Sequence, residues 1–115
     1  MKNSKTVLMT ALLFCFFASM AYVLADEPAG KTIFTDSKCN ACHSIESQQI
    51  TKKMASSKAP DLSDVGSKHD AEWITKWLKK EVTQDDKKHP GTWNGKDEDL
   101  KTLSEWLATL KKPAQ

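Results

Sequence analysis

The chain has 115 residues, 39% hydrophobic and 28% charged, with 17 basic and 15 acidic residues, all of the basic ones lysine. That length makes one small domain, near the size where an apolar core alone gives marginal stability. The charge is scattered in mixed clusters such as Lys79-Lys80-Glu81 and Asp85-Asp86-Lys87-Lys88, with no sustained basic stripe, so nucleic acid is not an expected partner.

Lys2 and Lys5 precede an apolar run from Thr6 to Ala25 that closes on Val23-Leu24-Ala25. This is the pattern of a secretory signal, with small residues at a cleavage point before Asp26. Residues 1–25 are read as the signal and 26–115 as the mature domain, periplasmic or otherwise exported and soluble once cleaved. Left in place, the apolar run is long enough to anchor the chain in a bilayer. Cys15 leaves with the signal, so the mature chain keeps only Cys39 and Cys42 and does not rely on disulfides for stability. Losing two of the 17 lysines leaves 15 against 15 acids, and a formally neutral domain meets any partner through local patches, weakly and fast.

In chain order, Pro28-Ala29-Gly30 opens a first helix through Ile33 and Phe34, with Gly30 and Phe34 on one face. Cys39-Asn40-Ala41-Cys42-His43 follows. C-x-x-C-H is the run that attaches a c-type haem: two thiolates add across the haem vinyl groups, and the adjacent imidazole is held for the iron. C-x-x-C also serves zinc and thioredoxin-like sites, but the mature region has no further cysteine and no alternating strand and helix pattern. Ser44 to Lys68 reads as loop, with one short helix expected over Gln48 to Met54. Asp70 caps a helix whose Trp73, Ile74, Trp77 and Leu78 form one apolar stripe, ending near Val82. Thr83 to Gly95 is loop again, with turn signals at His89-Pro90-Gly91 and Asn94-Gly95. The last helix begins at Asp97-Glu98-Asp99, carries Leu100, Leu103, Trp106, Leu107 and Leu110 on one face, and stops at Lys111-Lys112-Pro113. The fold class is all-α.

Across the mature region, Gly30-Lys31-Thr32-Ile33-Phe34, the Cys39 to His43 run, Ala59-Pro60-Asp61-Leu62 and Leu103-Ser104-Glu105-Trp106-Leu107 resemble the class I cytochromes c, in that family's order. The resemblance implies the cytochrome c fold: three main helices and irregular loops wrapped around one covalently bound haem c. It implies that the first and last helices cross where Gly30, Phe34 and Trp106 lie. It also implies that the backbone at Pro60 accepts the hydrogen bond from the ring nitrogen of His43 that does not bind iron.

The chain departs from the family pattern at the sixth ligand. No methionine follows Met54, and Met54 belongs to the stretch that wraps the proximal side. His89 stands in the loop where the family's methionine is expected, and Pro90 biases it toward an extended conformation that turns its side chain inward. His43 and His89 are therefore the expected iron ligands, with Met54, Asn94 or an open site as alternatives. His69, in a lysine-rich neighbourhood, reads as surface. Trp73 and Trp77 are read as the buried stripe of their helix rather than as lining the haem edge; Trp93 is expected to cover the distal face.

These features describe an exported monohaem electron carrier, not an enzyme, working between redox protein donors and acceptors through the haem edge around Cys39 to Cys42, with Lys38 and Lys52-Lys53 nearby. A gas-binding sensor for nitric oxide or carbon monoxide, or a haem subunit of a larger redox complex, are the alternatives.

Overall fold

This computed structural model describes residues 26–113; the expected signal at 1–25 lies outside the described residues. Helix α1 (Ala29–Asp36) leads to 3-10 turns at Cys39–Ala41 and Glu46–Gln48, followed by α2 (Val65–Lys68), α3 (Ala71–Leu78) and α4 (Asp97–Ala108). Among the described residues there is no strand; the pairs Ile45–Ile50 and Gln84–Lys87 form isolated bridges.

The last helix organises the rest. Its acidic first turn, Asp97, Glu98 and Asp99, sits at the positive end of the helix dipole. The leucines at 100, 103 and 107 repeat at helical spacing and are each at most 4% exposed. Each such side chain contributes about 1.5–3 kcal/mol of gross burial energy. α1 and α3 both pack on α4. The α1 crossing is close because Gly30 has no side chain: a Cβ there would overlap Cβ of Trp106. Phe34, 1% exposed, meets the Trp106 ring edge-on at 6.1 Å.

Helix α3 starts where expected, since Asp70 Oδ1 accepts from Trp73 N at 2.8 Å and caps it. It ends at Leu78, short of the expected Val82. Lys80 takes a left-handed φ of 60°, and Glu81 N and Lys80 N donate to the carbonyls of Lys76 and Trp77 at 2.8 and 3.1 Å. That is a Schellman stop built on lysine rather than glycine.

Two further expectations are corrected. No helix spans Gln48 to Met54: Ile45 and Ile50 bond each other in both directions, at 2.9 and 3.1 Å, around Gln49 at φ 58°. Burying both isoleucines, at 0% and 7% exposure, selects a tight turn there. The single turn α2, inside the expected loop, docks under the end of α4. Gly66 N donates to Leu110 O at 2.8 Å, and a Cβ on Gly66 would overlap the Ala108 carbonyl. Lys112 N donates to Asp64 Oδ1 at 2.6 Å.

Candidate functional site

After α1 the chain turns at Lys38, whose φ of 60° costs roughly 1 kcal/mol for a residue with a side chain. The reversal starts the cysteine run: Ala41 N bonds Lys38 O at 2.9 Å, and Cys42 N and His43 N both bond Cys39 O, at 3.2 and 3.0 Å. One tight turn therefore carries both sulfurs and presents the next imidazole. Cys39 is half-buried and Cys42 exposed, and the two are not joined in a disulfide; burial pushes the Cys39 thiol pKa up. A strap crosses outside, with Lys53 N on Asn40 O at 2.9 Å and Met54 N on Ala41 O at 3.0 Å.

His43 is aimed from far along the chain. Its Nδ1 lies 2.8 Å from Pro60 O. A carbonyl only accepts, so Nδ1 carries the proton and Nε2 keeps its lone pair. Burial, first of all, pushes this imidazole pKa down, and His89 adds to the effect, against the opposing pull of the Pro60 carbonyl and Asp61. The Pro60 carbonyl is itself held in place by the next residue. Asp61 Oδ2 accepts from Ser44 Oγ at 2.8 Å and from Glu46 N at 3.0 Å, while Oδ1 accepts from Ser63 N at 2.8 Å. Burial would raise this carboxyl, but the hydrogen bonds from Ser63, Ser44 and Glu46 hold its pKa down to about 2.

His89 reaches the same place from the other loop. Its Nδ1 lies 2.9 Å from Gly91 O, so it too keeps Nε2 free. The ring centres of His43 and His89 are 6.3 Å apart and their planes 14° from parallel. The loop is tied to the end of α3 by Lys80 Nζ on Pro90 O at 3.3 Å and Trp93 N on Leu78 O at 3.3 Å. Trp77 lies edge-on to His89 at 5.7 Å.

The spacing of the two ring centres is that of two imidazoles sharing one iron. A metal–imidazole bond of about 2 Å, plus roughly 1 Å from that nitrogen to its ring centre, taken on both sides, gives about 6 Å. Metal-binding histidines characteristically give their other N–H to a carbonyl or carboxylate, as both do here. Among the described residues no three His, Cys, Asp or Glu side chains converge as a zinc site of protein ligands needs.

The family model for cytochrome c matches residues 28–111. The chain belongs to the cytochrome c family. No curated protein and no solved structure matched it. As a cytochrome c domain it binds covalently attached haem c with its iron and serves as an electron carrier to redox partners, on the all-α cytochrome c fold.

The other expected positions in this cytochrome c fall as follows. Met54 is 51% exposed, and Asn94 is exposed too. Trp93 packs on the edge of the core and gives its indole N–H to Lys96 O at 3.3 Å. Lys38 and Lys53 are exposed, whereas Lys52 is half-buried, its Nζ on Ser57 O at 2.6 Å. His69 is not a free surface side chain: it is half-buried on Trp73. In α3 the buried member of the stripe is Ile74, at 3% exposure, while Trp73 and Trp77 are half-buried and stack along the side that reaches His89. Asp61 and Gly91 are the contributors that sequence reasoning passed over. Asp61-Leu62-Ser63 carries the composition of an Asx turn, a signal that was available; nothing in the sequence marks the Gly91 carbonyl.

Proposed function

We propose that this chain is an exported monohaem cytochrome c with His43 and His89 as its two axial ligands, passing single electrons between redox proteins. The observation that carries this reading is the imidazole pair 6.3 Å apart with both Nδ1 atoms on backbone carbonyls. Bound haem supplies an iron that changes oxidation state by one electron. Cys39 and Cys42 tether the haem through thioether bonds. His43, steered by Pro60, and His89, steered by Gly91, would hold the iron. Trp93 covers the distal face.

Two imidazoles lack the thioether that raises the potential of His/Met members, so the potential lies below theirs. Residues 1–25 direct export and are removed before Asp26. Partners meet the edge around Cys39 to Cys42, where Lys38, Lys53 and exposed Met54 offer positive charge around an apolar spot.

Absorption and electron paramagnetic resonance spectra of the oxidised holoprotein test the ligation directly. Low-spin iron with two nitrogen axial ligands is expected. A thioether signature, or high-spin iron, contradicts the assignment. N-terminal sequencing of exported protein tests the leader, with Asp26 as the expected first residue.

A further inference from the structure

Four aromatic rings run in sequence from the partly exposed His69 to the pair just described. His69 lies over Trp73 with ring centres 3.5 Å apart and planes 12° from parallel. Trp73 stacks on Trp77 at 5.4 Å and 17°, and Trp77 meets His89 edge-on at 5.7 Å and 75°. Local structure imposes this order. Trp73 and Trp77 are four residues apart on α3 and so share a face. The Asp70 cap holds Trp73 N, and extended backbone at His69, φ −140° and ψ 142°, lays that ring back over Trp73.

Core packing accounts for Trp73, which packs against the core cluster, but not for Trp77 or His69. The core residue of α3 is Ile74, and a histidine in a lysine-rich segment is fully satisfied in water. Here burial, with Lys68 beside it, lowers the pKa of His69, which favours the neutral ring in the stack.

We propose that His69, Trp73, Trp77 and His89 form a second electron port, through which a one-electron redox protein docked at His69 exchanges electrons with the haem iron independently of the Cys39 to Cys42 edge. The inference rests on His89 being an axial ligand. Electronic coupling decays exponentially with distance and decays least through groups in contact, so a row of stacked rings carries an electron further than open space does. The transfer is one tunnelling step: the donor loses one electron, iron(III) gains it to become iron(II), and no bond is made or broken. Neither tryptophan is oxidised on the way.

The chain's three histidines make the test specific. With His43 and His89 on iron, a ruthenium ammine reagent added to the holoprotein labels His69 alone. Labelling at His89 as well overturns the axial reading, and this proposal with it. Photoreduced ruthenium on His69 then delivers an electron to the iron at a measurable rate. A second protein, Lys53→His with His69→Gln, carries the ruthenium near the cysteine run and reports any general disturbance of the haem. The readout is the ratio of the two rates. Trp73→Leu is expected to lower that ratio by about an order of magnitude, with Trp73→Phe retaining most of it. An unchanged ratio in Trp73→Leu, with only His69 labelled, overturns the port and leaves the two-histidine ligation standing.

Discussion

His89 donates its Nδ1 proton to the carbonyl of Gly91, only two residues further along, at 2.9 Å. The ring is thus aimed by the loop that carries it. His43 donates its counterpart bond to the carbonyl of Pro60, 17 positions away. The two sides of the site are independent in origin, and the distal side can be altered without disturbing the helix crossing.

Replacing His89 is the first consequence to measure. His89→Ala should convert the low-spin oxidised protein to a high-spin or water-ligated form, and the reduced form should bind carbon monoxide readily. Met54→Ala should leave the spectrum unchanged, because Met54 is 51% exposed. His89→Met should restore six-coordination at a higher potential, since thioether ligation favours reduced iron. An unaltered spectrum in His89→Ala would move the search to Asn94 and Met54.

Covalent attachment through Cys39 and Cys42 predicts that denatured protein keeps its haem colour in a gel. Mass spectrometry should find one haem on the peptide containing both residues. Cys39→Ser or Cys42→Ser should sharply lower the yield of mature protein. Haem-free chain should show little helix by circular dichroism, because a domain this small loses much of its apolar contact area without the haem. Haem extracted by acid solvent, or native helix content in the haem-free chain, would contradict these expectations.

At the helix crossing, Trp106→Ala should destabilise the holoprotein by about 3–5 kcal/mol in denaturant titration. Gly30→Ala should cost about 1–3 kcal/mol through overpacking. The pair has an informative non-rescue. The nearest atom to an added methyl is Cβ of Trp106, which alanine retains, so Trp106→Ala should not relieve Gly30→Ala, whereas Trp106→Gly should.

Asp61 makes stability depend on acid pH. Its carboxyl is held at about 2 in the folded chain, below the value of about 3.9 expected when unfolded. The stabilisation is therefore complete above about pH 4 and is lost as pH falls toward about 2. Allowing for solvent around this exposed group, Asp61→Asn should cost on the order of 1 kcal/mol at neutral pH. Wild-type and variant stabilities should converge at the acid end, and a constant gap across that range would rule out the carboxylate as the cause.

Much of this was legible from residue spacing. Asp70, the leucines of α4 and the C-x-x-C-H run each carry a local signal that the fold obeys, and the crossing of Gly30 with Trp106 follows the family resemblance. The misreadings share a cause. Lys80 and Gln49 adopt left-handed backbone without being glycine, so the end of α3 and the turn at Ile45–Ile50 have no punctuation in the sequence. The turn α2 exists because Gly66 and Asp64 bind Leu110 and Lys112, just past the end of α4, a tertiary cause that no periodicity records. Trp73 and Trp77 looked like core because stripe and stack share the same four-residue spacing.

The paired backbone hydrogen bonds on the imidazoles also bear on speed. An electron-transfer barrier depends on how far the atoms must shift when the charge changes, and rings pinned at Nδ1 by Pro60 and Gly91 have little freedom to tilt or slide. With the iron held between these two rings as proposed, both oxidation states would share nearly one geometry. The reorganisation energy would then be small, and exchange would stay rapid even when donor and acceptor differ little in potential.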